Sequence, residues 1–553
     1  MHRGSMITGR LASLFLLLAI SSTSPSGNGR KFYDDDPLER EPETQDASGV
    51  QAWDIDLFYD LAENLFGRPG DSTPDVRARN INTIDEVPDS SWFTNRILAR
   101  PVGADEAARG PLTGPGPAAG IWSVIRAKEA GFAPGFTMND AKGETWFVSF
   151  DAKGFPEAAT GAIVVANKIF WALGYWQAEN YLVSMRPDQL VVSGSATVVP
   201  PSGRRRAMKS SDIEHVLSRA HRSADGTYRA VAARAVPGRP LGGFRYHGTR
   251  PDDPNDIVPH EHRRELRALR VFGAWTNLVD MKAGNTLDTL ITTNGRGAVR
   301  HYLQDVGSTF GTGANAPREY DEGWEYLFEG EHAWKRLYTL GFFLRPWQTV
   351  GYVTNPAIGR FEGAQFDPPG WRPRVPTAAF LRARADDTFW AARRVMAFSD
   401  DMIRAIAATG QYADPQAAGL LADVLIERRD RIGQVYLNAI NPVVNVALAE
   451  DGTLTFENAA VNAAVAEAPG GGYVIEWARF DNNTGTISPL GTSTAKPAAG
   501  RSEAPAALPS APGAYIRLEM RAVEPPDPSW GMPVVAYFRR AAGWRLVGLE
   551  RMP

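Results

Sequence analysis

The sequence predicts an α+β protein of several domains, and three observations carry that expectation. A chain of 553 residues is too long for one hydrophobic core. Residues 122 to about 185 read as short strands around one helix, and a largely helical region follows from about 255 to 440. From about 443 onward, short strands recur between Gly, Asn and Pro turns, the rhythm of a β-sandwich. The expected division is 1–26, 27–120, 121–250, 251–440 and 441–553.

Composition narrows the function classes. Hydrophobic residues make up 43% and charged residues 22%, so folded rather than disordered structure is expected throughout. The formal net charge of −4 gives no basic field to draw the whole chain onto nucleic acid. Cysteine is absent, which removes disulfides, thiolate metal sites, cysteine nucleophiles and a lipidated-cysteine anchor. At the N-terminus, His2, Arg3 and Arg10 precede the apolar run Leu11–Ile20, and small residues follow from Ser21 to Ser26. That is the pattern of a secretory signal, with an apolar run about half of what a membrane span needs. The expectation is export to the periplasm or the exterior, with no membrane span in the chain.

Taken in order, residues 27 to about 50 are polar and acidic and read as a leader extended over a surface. Ile55, Phe58, Ala62 and Leu65 give a helical rhythm that stops at Gly67 and Pro69. Phe136–Met138 and Trp146–Phe150 flank a turn-rich Asn139–Gly143 and predict a hairpin; Glu157 to Leu173 predicts a helix stopped by Gly174. Short strands follow at Tyr181–Val183, Gln189–Val192 and Thr197–Val199, and Tyr228–Val236 reads as a connecting strand. Arg204 to Arg206 reads as a solvated basic loop. His260 to Trp275 predicts a helix with Leu266, Leu269, Phe272 and Gly273 on one face and charges opposite. Helical segments at 384–409 and 414–438 precede strands at Val444–Leu448, Thr453–Phe456, Tyr473–Phe480, Tyr515–Arg521, Val534–Arg539 and Trp544–Leu549. Trp92, Trp275 and Trp390 are expected in cores.

The residues that carry chemistry lie near the middle. Asp280, Lys282 and Asn285 form D-x-K-x-x-N, and Asp305 begins Asp-Val-Gly after a strand–turn–strand stretch over Thr289–Thr292, Gly295–Gly297 and Val299–Leu303. Phosphoryl transfer asks for this set: a carboxylate that orients a hydroxyl, an Asn and a second carboxylate that hold divalent cations, and a positive charge near the moving group. A turn behind a metal carboxylate favours glycine, which Gly307 supplies. The plainer reading is that Asp280 and Asn285 only cap a turn and Asp305 only begins one.

Asp280, Lys282, Asn285, Asp305 and Gly307 resemble the catalytic and metal loops of the protein-kinase-like superfamily. The order also resembles it, a β-rich lobe followed by a helical one, over roughly 120–440. Leu278-Val279 in place of His-Arg, and Val306 in place of Phe, resemble atypical branches: HipA-type, CotH-type and secretory-pathway kinases. Pro251–Asp256, His260–Glu265 and Arg300–Tyr302 are similar to a group of secreted bacterial proteins. The resemblance implies a two-lobed kinase-like core before the β-sandwich. It also implies Asp280 and Lys282 as catalytic residues, Asn285 and Asp305 as ligands of Mg²⁺ or Mn²⁺, and ATP as nucleotide. One departure is plain. Ser149 occupies the strand position of the phosphate-binding Lys, and the helix Thr160–Lys168 offers no Glu to pair with one. Lys153 and Lys168 are the candidate substitutes, though surface lysines are the plainer reading of both; Gly131, Gly135 and Gly143 are candidates for shaping a phosphate-covering loop.

Three functions follow as expectations. The first is an exported phosphotransferase from ATP to an unidentified hydroxyl acceptor. The second is a pseudokinase-type binding or scaffold module whose partner is a protein. The third is a metal-dependent envelope hydrolase using Asp252, Asp253, Asp256, His260 and His262, which also read as an acidic loop capping a helix.

Overall fold

Three layers follow one another along the chain, tied together by an N-terminal strap. The structure is a computed structural model and describes residues 29–128, 133–200, 203–313, 316–353, 355–497 and 500–552. The expected signal segment therefore lies outside the described residues.

Residues 29–110 carry two short helices, α1 (Leu57–Ala62, prolonged by a wider turn over Glu63–Gly67) and α2 (Ala104–Arg109). The expected surface leader is instead woven into the body. Phe32 is buried against Phe480, Tyr515 and Tyr537 of the C-terminal sheet. Ala47 donates its backbone N–H to Gly297, and Trp92 stacks on His301 with ring centroids 3.5 Å apart. Helix α1 departs from the expected orientation. Asp60 and Asn64 are its buried residues, while Phe58 is 82% exposed, because the Asp60 carboxylate lies near Arg245 and Asn64 bonds back to the Asp60 carbonyl.

The first lobe is a seven-stranded sheet built from β1 (Trp122–Ala127), β2 (Gly135–Asn139), β3 (Thr145–Phe150), β4 (Asn180–Met185), β5 (Leu190–Val198), β6 (Arg206–Ala207) and β7 (Tyr228–Arg234). Its order is β4-β7-β3-β2-β1-β5-β6, with an antiparallel meander through β1, β2 and β3. Helix α3 (Ala158–Leu173) follows β3, and α4 (Ser210–Leu217) follows β6. Period-two alternation sends Trp146, Val148 and Phe150 into the lobe core and leaves Phe147 and Ser149 on the opposite face. The two short strands expected near 190 and 198 are one strand, β5.

The second lobe begins with β8 (Arg239–Gly242). Then come helices α5 (Arg264–Arg267) and α6 (Leu269–Thr276), the hairpin β9 (Thr286–Thr293) and β10 (Arg296–Leu303), and α7 (Gly330–Tyr338). Helices α8 (Ala378–Leu381), α9 (Ala385–Met396), α10 (Asp400–Ala408) and α11 (Pro415–Tyr436) complete it. Asn294 and Gly295, at φ +51° and +76°, form the tight hairpin turn that both residue types favour. The expected helix over His260–Trp275 is broken into a 3₁₀ turn, α5 and α6, and its charged side is not solvated: Arg263, Arg264 and Arg267 are each at most 1% exposed.

The C-terminal region places β11 (Val443–Leu448), β12 (Thr453–Asn458) and a short β15 (Arg501–Glu503) in one sheet. Strands β13 (Tyr473–Phe480), β14 (Ile487–Ala495), β16 (Tyr515–Ala522), β17 (Val534–Arg540) and β18 (Trp544–Arg551) form the other, ordered β14-β13-β16-β17-β18. This is the α+β class expected, with two antiparallel sheets at the end. Its core is continuous with the helical lobe, since Tyr473, Trp477 and Leu518 share a buried cluster with Trp275 and Trp390.

Candidate active-site cleft

Between the first sheet and the β9–β10 hairpin lies a cleft of about 260 Å³. Its floor is apolar, formed by Val231 and Ala233 of β7, Ile163 of α3, and Leu287 and Val306 from the second lobe. Polar residues line it as well: Lys128, Ser149 and Asp305, together with Thr137, Asn180, Arg234 and Gln304.

Lys128 was not foreseen. It continues the β1 ladder, donating its backbone N–H to Gly135 at 3.0 Å. The preceding Ala127 points into the lobe core, so alternation turns Lys128 toward the cleft. Its Nζ comes 3.4 Å from the Ser149 hydroxyl. The cation missing from β3 is thus delivered two strands away to nearly the same point. The residue as a whole is exposed, yet its ammonium is crowded by protein atoms; desolvation pulls its pKa below the ordinary lysine range, while Asp305 acts to raise it. Only strand parity at the end of β1 could have found it in the sequence.

The other two lysine candidates stand elsewhere. Lys153 is an exposed turn residue after β3 whose backbone N–H bonds to Arg219. Lys168 is buried in α3, packed against Gly110, and has no carboxylate beside it among the described residues; burial drops its pKa to about 8. Neither lines the cleft. Gly135 is explained by packing, because a Cβ there would lie 2.3 Å from the Val148 carbonyl oxygen. Gly143 sits at the β2–β3 turn with φ +82°, and Gly131 lies outside the described residues.

The Asp280–Asn285 loop does converge with the Asp-Val-Gly turn. Helix α6 ends at Asn277 in the left-handed conformation, which releases the chain into Leu278–Lys282. The backbone N–H groups of both Gln304 and Asp305 donate to the Asn285 carbonyl at 3.1 Å, pinning the turn to the loop. Asn285 donates its amide to the Asp280 carbonyl at 2.6 Å, leaving its amide oxygen as the group able to meet a cation. Lys282 Nζ is 2.8 Å from Asp280 Oδ2. Burial pushes the Asp280 carboxyl up, but the Lys282 ammonium, the Asn285 amide and Arg318 outweigh it and hold the carboxyl below its usual range. Asp305 is exposed, lines the same cleft as Lys128 and acts on it electrostatically.

Gly307 is required for a different reason from the one expected. Its φ is not in the left-handed region; a Cβ there would meet Ile163 Cγ1 of α3 at 2.7 Å. The glycine lets the turn close onto the helix.

The acidic–histidine cluster is committed to the protein itself. His260 Nε2 bonds Asp256 at 2.8 Å and its Nδ1 meets the Arg245 carbonyl; His262 bonds Asp71 at 3.0 Å and Arg267 at 2.7 Å. With both rings using both nitrogens, neither has a lone pair to give a metal, and among the described residues no group of three or more His, Cys, Asp or Glu is arranged to hold one. The hydrolase expectation loses its site.

Comparison with known proteins adds little. No family model and no curated relative matches the chain. Among solved structures, the crystal structure of the Golgi casein kinase with Mn/ADP bound is similar over 57% of this chain and 74% of that one, at 8% identity and a TM-score of 0.28.

Proposed function

We propose that the chain is an exported, kinase-like phosphotransferase that uses a nucleoside triphosphate, ATP in the first instance, with Mg²⁺ or Mn²⁺. The observation that carries this reading is that Lys128 and Asp305 line one largely apolar cleft and act on each other electrostatically, with the Asp305 turn bonded to the loop of Asp280 and Asn285. A largely apolar slot lined also by a cation and a carboxylate fits a flat base joined to metal-bound phosphates. Asp305 and the Asn285 amide oxygen would hold the cation, and Lys128 would meet phosphate oxygens. The bound nucleotide would supply the phosphoryl group, and the cation would neutralise charge on its phosphate oxygens.

The chain's own residues then have defined tasks. Asp280 stays ionised at neutral pH because its carboxyl is held low, so it orients an acceptor hydroxyl by accepting its hydrogen bond rather than acting as a strong base. Lys282 holds that carboxylate in place and presents positive charge beside it. Val231, Ala233 and Leu287 keep water from the base-binding end.

A second reading, a nucleotide-binding or nucleotide-free scaffold, is favoured by one feature. Helix α3 faces the cleft with Ile163 and has no Glu to fix the cation of the opposite strand. Calorimetric titration of the purified chain with ATP and Mn²⁺ tests both. The phosphotransferase reading expects binding that is lost in Asp305→Ala, retained in Asp280→Ala, and accompanied by phosphoryl transfer or hydrolysis that Asp280→Ala abolishes. Absence of binding overturns it; binding without turnover selects the scaffold.

A further inference from the structure

A buried amide that lines the cleft is left unbonded. Asn180 opens β4 and is only 6% exposed, yet its side chain has no hydrogen-bond partner among the described residues. Two other buried amides of this lobe are spent on the protein. Asn167 donates to the Gln177 amide oxygen and to the Ala178 carbonyl, both at 3.0 Å, and Gln177 donates to the Leu303 carbonyl at 2.9 Å. Register aims Asn180 at the cleft. It stands opposite Ala233 of β7, which stands opposite Phe147 of β3, so the three share one face of the sheet. The Ser149–Val231 pair lies two residues along on that face, and all five residues line the cleft. Tyr181 and Ala232 turn the other way and pack on the lobe core. An amide taken out of water costs free energy until something bonds it, so an unbonded one on a cleft wall is a group for a ligand.

Position decides which part of a nucleotide the amide meets. Asn180 lies two strands and two residues from Ser149, about 12 Å at ordinary sheet spacings. Lys128 brings its ammonium to the Ser149 hydroxyl. A nucleotide whose phosphates meet that ammonium therefore reaches Asn180 with the edge of its base. Ala233, the residue between, offers only a methyl group, so a ring substituent can pass it. A primary amide can turn either its oxygen or its NH₂ toward the ligand. The oxygen accepts from the amino group at C6 of adenine, and the NH₂ donates to the oxygen at C6 of guanine. A pyrimidine is one ring shorter and stops short of the amide.

We infer that Asn180 recognises the substituent at C6 of a purine base, an assignment that rests on nucleotide binding in this cleft, and that it admits adenine and guanine nucleotides alike. No protein backbone group is needed for that contact, and phosphoryl transfer is not part of its test.

Calorimetric titration of the full chain in Mn²⁺ compares ATP, GTP, CTP and purine riboside triphosphate, which carries only hydrogen at C6. ATP and GTP are expected to bind within about threefold of each other, and the other two at least about tenfold more weakly. Asn180→Leu should lower ATP and GTP to the level of purine riboside triphosphate and leave that ligand unchanged. Its melting temperature should hold or rise, because the substitution breaks no internal hydrogen bond. Asn180→Asp, whose carboxylate can only accept, should keep ATP and weaken GTP at least about tenfold. If purine riboside triphosphate binds as tightly as ATP and Asn180→Leu leaves ATP unchanged, the inference is overturned while nucleotide binding stands. A lowered melting temperature in Asn180→Leu, with equal losses for every triphosphate, also overturns it, because the amide then holds the lobe and not the base. Binding of none of the four by the unaltered chain overturns the nucleotide function and this assignment together.

Discussion

Arg264 and Lys128 are both cations beside carboxylates, yet their surroundings differ completely. Arg264 has no exposed surface, and its three nitrogens reach Asp387 at 3.0 Å, Asp85 at 2.9 Å and Asp386 at 2.9 Å. Arg267 next to it is satisfied by Asp387, by the Glu261 and Val76 carbonyls and by His262. Lys128 meets one hydroxyl at 3.4 Å, and Asp305 in the same cleft is exposed. Charge matched this fully by protein holds segments together. Charge left this short of partners in a cleft is available to a ligand. The junction around Arg264 accordingly gathers the strap (Asp85), α5 and α9, elements far apart in sequence.

The largest expected effect is at the matched end. Arg264→Ala leaves three buried carboxylates without their shared cation and should destabilise the chain by about 3–5 kcal/mol, read from chemical unfolding. A loss under about 1 kcal/mol would mean that water already solvates the junction, and the distinction drawn above would fail.

Lys168 sharpens the same distinction because it is buried and unmatched, with no cleft to serve. Its folded pKa is about 8, while the unfolded side chain keeps its proton to the ordinary lysine range near 10.4. Between those values the unfolded chain binds more protons, so stability rises with pH across that window, and the full burial cost is present below it. Lys168→Met should therefore stabilise the protein by about 2–3 kcal/mol at pH 7 and flatten the rise between pH 8 and 10.5. Destabilisation instead would reveal an anion bound beside it.

Much of the fold was legible in the sequence wherever local pattern and burial agree. The β9–β10 hairpin was expected with its turn at Gly295–Gly297 and closes one residue earlier, at Asn294-Gly295, while β13 spans Tyr473–Phe480 as its alternation predicts. Strand β14 was missed because Ile487–Ala495 is an edge strand of Ser, Thr, Gly and Pro, exposed along most of its length, and such residues read as loop. The charged side of the 260–275 segment was misread for a tertiary reason: its partners Asp85, Asp386 and Asp387 lie more than a hundred residues away on either side. The helix α1 error has the same origin, since Arg245 decides which face goes in. The Asp280–Asn285 loop and the Asp305 turn were readable as neighbours because their spacing is local to one loop and one hairpin; of these residues only Asp305 lines the cleft. Lys128 was not readable, because its relation to Ser149 passes through the register of β1, β2 and β3.

That register supplies the finest test of the unmatched end. If the cleft needs an ammonium at one point in space and is indifferent to the strand that brings it, position 149 can take over from position 128. Lys128→Met should weaken ATP–Mn²⁺ binding by about tenfold or more, roughly 1.4 kcal/mol, with little change in stability because the residue is exposed. Adding Ser149→Lys to that variant should recover most of the loss. Ser149→Lys alone places two ammonium groups where Nζ and Oγ now stand 3.4 Å apart, so like-charge repulsion should push one of them to release its proton at lower pH without a gain in affinity. Failure of the double variant to recover, with its fold intact, would mean that Lys128 meets its ligand from a direction β3 cannot reach, and that the two strands are not interchangeable sources of the charge.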